Sequence, residues 1–250
     1  MKTMLAFLLM LIVCSSMLKA QNKFRADFDC KQQQITDSML FRRFISSDLS
    51  FESYKDSLVG FQSAYGKNKQ FEGLSQDAAL TALSFYPELS DTRIHFKYRP
   101  IAWTMNARPA VSNLFHSGEK DNFLVLINNN EGKHKGLSYD SLSFNIQVGF
   151  FAHEFAHILE YKEMNDLKAM RFSVRYMLFP NFKKKVERYT DYLATKHRLA
   201  NPMFERVESV LNNPYASETY KNRIRRFYLS PDEIFCIWLS NTNQGNRLVK

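Results

Sequence analysis

Between Val148 and Tyr161 the chain reads VGFFAHEFAHILEY, an apolar run interrupted by two histidines and two acids. The spacing predicts a helix, and on a helix residues four apart lie on one face. His153 and His157 can therefore reach the same metal ion. Glu154, next to the first histidine, is placed to act on a water held by that ion. No other stretch restricts the fold as tightly, because this helix needs a partner that brings further ligands to it.

A metal that is to do chemistry needs three protein ligands and one open position. The third ligand is best sought downstream, on an element that can pack against the first. Glu187-Arg188-Tyr189-Thr190-Asp191 fits, 30 residues beyond His157 and inside a helical pattern whose apolar face is Val186, Tyr189, Leu193 and His197. Glu187 and Asp191 are themselves four apart and share a side of that helix. Glu187 can ligate while Asp191 accepts the second ring N–H of a ligand histidine, which fixes its tautomer and raises its basicity. Glu160 and Glu163 lie too close to the first helix to fold back as ligands. His95, His116 and His134 read as surface or core residues.

At these residues the sequence resembles the gluzincins, the group that holds thermolysin-type enzymes and the prenyl-protein-processing zinc endopeptidases. The resemblance rests on His153-Glu154-Phe155-Ala156-His157 followed by Glu187-x-x-x-Asp191, and it spans roughly residues 146–195. The run from Glu187 to Ala194 is closer to the second group, without the many membrane helices of those enzymes. A soluble, exported relative is the better analogy. The resemblance implies a zincin-like fold and one Zn2+ per chain, held by His153, His157 and Glu187. It implies hydrolysis of a peptide or protein substrate, with Glu154 as general base and Asp191 supporting a ligand. It also implies an edge strand for an extended substrate, either Phe123 to Asn128 or the strand before it. For the oxyanion the candidates are Tyr189, Tyr192, Tyr220 and His197, the last disfavoured by its distance along the helix. The alternative is a catalytically inactive zincin-fold protein that binds or builds part of the cell envelope.

Elsewhere the patterning predicts an α+β domain dominated by helices. Residues 24–70 read as mostly helical, with a short helix after Ser75. Strands are expected at Thr92–Tyr98, continuing through Ile101–Met105, and at Phe123–Asn128. Ser143 or Asn145 is expected to cap the motif helix. Further helices are expected over Asn181–Leu199, Pro202–Leu211 and Ser217–Phe227. Ser230-Pro231-Asp232-Glu233 opens a last one with a capping box. No linker divides residues 21–250, which read as a single domain.

Residues 1–20 read as a signal peptide, with Lys2, an apolar core from Met4 to Val13, and cleavage after Ala20. The expected setting is export, with lipoprotein anchoring through Cys14 the weaker reading. Cleavage would remove Lys2 and Lys19 and no acid, taking the formal charge from +9 to +7. That balance suits peripheral contact with an anionic envelope surface. Nucleic acid is not expected, since Lys183-Lys184-Lys185 carries no interleaved aromatics. Cys30 and Cys236 are compatible with a bridge and equally with two separate buried thiols.

Overall fold

The computed structural model describes residues 38–46, 51–73, 76–110, 122–128 and 136–247. All of them belong to the compact unit Gln32–Lys250. The expected signal peptide, Cys14, Cys30, His116 and His134 lie outside these residues. Cys236 is disulfide-bonded, and its partner lies outside them too.

The order of elements is helical, then a small sheet, then helical again. Helix α1 (Ser38–Ile45) and α2 (Leu58–Tyr65) precede β1 (Lys69–Glu72) and α3 (Asp77–Leu83). Strands β2 (Arg93–Tyr98), β3 (Met105–Pro109) and β4 (Asn122–Ile127) follow. Then come α4 (Phe144–Lys162), α5 (Asp166–Leu178), α6 (Pro180–Ala194), α7 (Ala200–Leu211), α8 (Glu218–Phe227) and α9 (Pro231–Arg247). The class is the expected mostly helical α+β arrangement.

The sheet is mixed, in the order β1-β2-β4-β3, with β1, β2 and β4 parallel and β3 antiparallel to β4. Two expectations are corrected here. Ile101–Thr104 is not strand; it bends, and the strand starts at Met105. The strand Phe123–Asn128 is not an edge, because β2 and β3 pair with both its sides. Among the described strands, β3 is the edge on that side. Lys69–Glu72, which overlaps the end of the stretch read as mostly helical, is the other outer strand.

One face of the sheet rests on α4. Phe96 packs its ring edge-on to Phe151 and Phe155, with centroids 5.7 and 6.2 Å away. Tyr86, just past α3, donates to the Ala152 carbonyl at 2.7 Å. Helix α4 is buried almost all round, as its unbroken apolar run requires. It also packs closely on α7, and Gly149 makes the approach possible. A Cβ there would stand 2.1 Å from the Pro202 carbonyl oxygen. Ser143 takes the N-cap position by backbone conformation without a side-chain bond. Asn145 instead donates to Asn201 Oδ1 at 2.7 Å.

Asn181–Leu199 is not one helix. It breaks after Ala194 into a wide turn in which Arg198 takes φ 68° and ψ 17°. The turn redirects the chain into α7, which begins two residues before Pro202, a residue without an N–H to continue the ladder. Ser217 caps α8, and Ser230 with Glu233 caps α9 as the capping box in the sequence indicates.

Candidate metal centre

Helices α4 and α6 face one another with their chemistry pointing inward. On α6 the buried residues Val186, Glu187, Thr190, Asp191 and Ala194 form one stripe. Glu187 and Asp191 are thereby aimed at His153 and His157. Glu187 Oε2 lies 3.2 Å from His153 Nε2 and 3.4 Å from His157 Nε2. The ligand atoms of all three side chains lie within 4.8 Å of one another, and all three residues are buried. This group could hold a metal ion.

The surroundings leave the right atoms free. Asp191 Oδ1 lies 2.8 Å from His153 Nδ1. A carboxylate only accepts, so the neutral ring carries its proton on Nδ1 and presents a lone pair at Nε2. His157 Nδ1 lies 3.2 Å from Thr190 Oγ1, which donates onward to Glu160 Oε2 at 2.8 Å. Its Nε2 is likewise left facing Glu187. Glu187 Oε1 accepts from the Tyr176 hydroxyl and, at 3.0 Å, from Arg223 Nη2. Its other oxygen, Oε2, is buried and accepts no hydrogen bond from any described residue. Two imidazole nitrogens and one bare carboxylate oxygen thus converge on one point.

Asp191 is fixed in turn by Arg206 Nη2 at 2.7 Å and by the Leu229 amide at 2.9 Å. Burial alone would lower the His157 imidazole, yet the Glu160 and Glu187 carboxylates hold it up at about 10. Burial would raise Glu187, but the two histidines bring it well below the usual carboxylate range. A cation at this point would compete with a proton that the acids now favour.

Glu154 is set apart from the ligand group. Its Oε2 accepts from the Ala107 amide on β3 at 2.5 Å. The phase of the β3–β4 ladder explains this contact. Asn128 N–H reaches the Thr104 carbonyl and Ala110 N–H reaches the Asn122 carbonyl, both at 2.9 Å. Even-numbered residues therefore bond β4, while Met105, Ala107 and Pro109 turn their backbone groups to the open edge. The cavity in front of the histidines is walled by Trp103, Met105, Asn106, Tyr220, Arg223 and Tyr228 among others.

Of the oxyanion candidates, Tyr220 lines this cavity, with its hydroxyl 3.2 Å from Thr104 Oγ1. His197 does not; it stacks on Tyr86 at 4.3 Å. Tyr189 and Tyr192 pack against one another away from the cavity. Tyr176, Arg206, Arg223 and Tyr228 carry no signal in the sequence that ties them to the motif. Glu160, set aside there as a ligand, instead accepts from Thr190 behind His157. Compared with protein-family models, curated proteins and solved structures, the chain matches none.

Proposed function

We propose that the chain is a zinc-dependent peptidase of gluzincin type with a zincin-like fold. The observation that carries the reading is the bare, buried Oε2 of Glu187 facing both histidine Nε2 atoms. Atoms bound about 2.0–2.1 Å from a tetrahedral zinc lie about 3.3 Å from one another. The two separations from Glu187 Oε2, 3.2 and 3.4 Å, fit that geometry. The mixed nitrogen and oxygen donor set suits zinc, and three ligands leave a position open.

Zinc, when bound, would lower the pKa of a water and polarise a carbonyl. The chain's own residues supply the rest. Glu154 takes a proton from the attacking water and passes it to the leaving amine. Arg223, whose Nε is buried without a partner among the described residues, and Tyr228 are donors at the cavity for the developing oxyanion. The open edge of β3 offers the Met105 backbone groups and the Ala107 carbonyl to an extended peptide, the Ala107 N–H being held by Glu154. Pro109 has no N–H and stops that pairing.

Metal analysis and hydrolysis of a broad peptide library test the reading together. One zinc per chain is expected. Glu154→Gln should keep the metal and lower kcat/KM by about 10²–10⁴. Full zinc occupancy without cleavage of any peptide would leave the inactive, binding-protein reading standing. No bound metal would remove both.

A further inference from the structure

Helix α5 is apolar on two opposite faces. One face is internal: Phe172 packs edge-on against Tyr161 and Phe182, and Tyr176 reaches Glu187. The other face carries Leu167, Met170, Val174, Met177 and Leu178, at 44–73% exposure, and Phe179 continues it at 55%. At 100° per residue these five helical positions fall within an arc of about 100°, along a helix about 20 Å long. An apolar stripe of this length on a protein surface marks a contact site.

What flanks the stripe decides the partner. Lys168, Arg171 and Arg175 lie side by side on one border, and the first two are exposed. Lys183, Lys184 and Lys185 follow in the first turns of α6, the last two exposed. No acid interrupts the stripe. The surface is a convex ridge of flexible aliphatic side chains with a cationic border, not a groove shaped for one peptide. No helix among the described residues is long and apolar enough to cross a membrane. We infer that α5 is an interfacial helix, which lays the Leu167–Leu178 stripe into the headgroup region of an anionic lipid bilayer with Lys168 and Arg171 on the lipid phosphates. Aliphatic stripe and cationic flank are the two halves of such binding, apolar burial and electrostatic attraction. Tyr176, on the opposite face, would place the metal centre directly above that surface.

The full chain is tested by co-sedimentation with vesicles of phosphatidylcholine alone or mixed with phosphatidylglycerol, in low and high salt. Two variants carry the same N-terminus as the wild type, so differences between them read α5 alone. They are Met170→Gln/Met177→Gln in the stripe and Lys168→Gln/Arg171→Gln on its border. Unchanged circular dichroism and zinc content control for folding. The wild type should bind the phosphatidylglycerol vesicles, more weakly in high salt, and each double variant should bind about tenfold or more weakly. Equal binding by wild type and stripe variant overturns the inference. So does a salt-independent association with phosphatidylcholine alone. A wild-type dimer in light scattering that the stripe variant abolishes, with no vesicle binding, would show that a second copy covers the face.

Discussion

Glu187 uses its two oxygens for different purposes. Tyr176 and Arg223 hold Oε1, so the direction of Oε2 is set independently of any ion. Partners of this kind around a ligand typically contribute 10- to 100-fold in metal affinity. Tyr176→Phe should therefore weaken zinc binding by about tenfold, as read by competition with a chromophoric chelator. Unchanged affinity would mean that Arg223 alone orients the carboxylate. Arg198 is a different kind of residue, a non-glycine in the left-handed region at φ 68°. That conformation costs about 1–2 kcal/mol for a residue with a Cβ. Arg198→Gly should raise stability slightly, by up to about 1 kcal/mol, and Arg198→Val should lower it by more, both read as urea midpoints. The contrast marks what the sequence discloses at this scale. His153 and His157, like Glu187 and Asp191, are four apart on one helix, a period visible in the letters. Tyr176, Arg206 and Arg223 arrive from three other helices and have no spacing relation to the motif.

Helix α4 can carry the motif only because α7 comes close enough to brace it. Gly149 sits at the crossing, and its missing side chain is the space that the Pro202 carbonyl occupies. Gly149→Ala should destabilise by about 1–3 kcal/mol, since one partner is backbone and cannot rotate away. A smaller loss would show that the two helices can slide apart. At the start of α9, Ser230 and Glu233 cap reciprocally, and Arg188 of α6 pairs with the Glu233 carboxylate. Burial would raise the Glu233 pKa, but Arg188 and Ser230 hold it below the usual value. A carboxylate depressed in the folded state contributes stability above its unfolded pKa and loses it as pH falls through the folded one. Glu233→Gln should therefore cost about 1–2 kcal/mol at neutral pH, a difference that shrinks below pH about 4 in parallel denaturation curves. Capping chemistry of this sort is local, which is why α9 could be read from four residues. Helix α5 could not. Its apolar residues lie on two opposite faces, so no single 3.6-residue stripe stands out. β1, with only Phe71 apolar among Lys69–Glu72, gave no strand alternation, and β3 owes its place to pairing with β4.

Taken as a whole, the molecule gathers charge at one buried place. Glu154, Glu160, Glu187 and Asp191 lie around the two histidines, against the guanidinium groups of Arg206 and Arg223. With both imidazoles neutral, four acids against two arginines leave two negative charges unbalanced in a region shielded from water. Uncompensated buried charge is strongly destabilising, and a divalent cation brings the sum to zero. Protonation of His157, which the acids favour, offsets only one of the two. The ion should therefore stabilise the whole fold as well as serve the site, since it binds a geometry that the unfolded chain lacks. At a free zinc concentration about 1,000 times Kd, linkage gives about 4 kcal/mol. For a domain of this size that corresponds to a Tm about 8–16 °C higher with zinc than after chelation. Thermal melts in excess EDTA, and again after zinc is restored, measure the difference. Glu187→Gln supplies the control. It removes one negative charge and one ligand together, so its Tm should be nearly insensitive to EDTA. If the wild type melts at the same temperature with and without the chelator, the acids are balanced by protons alone and the metal centre does not exist.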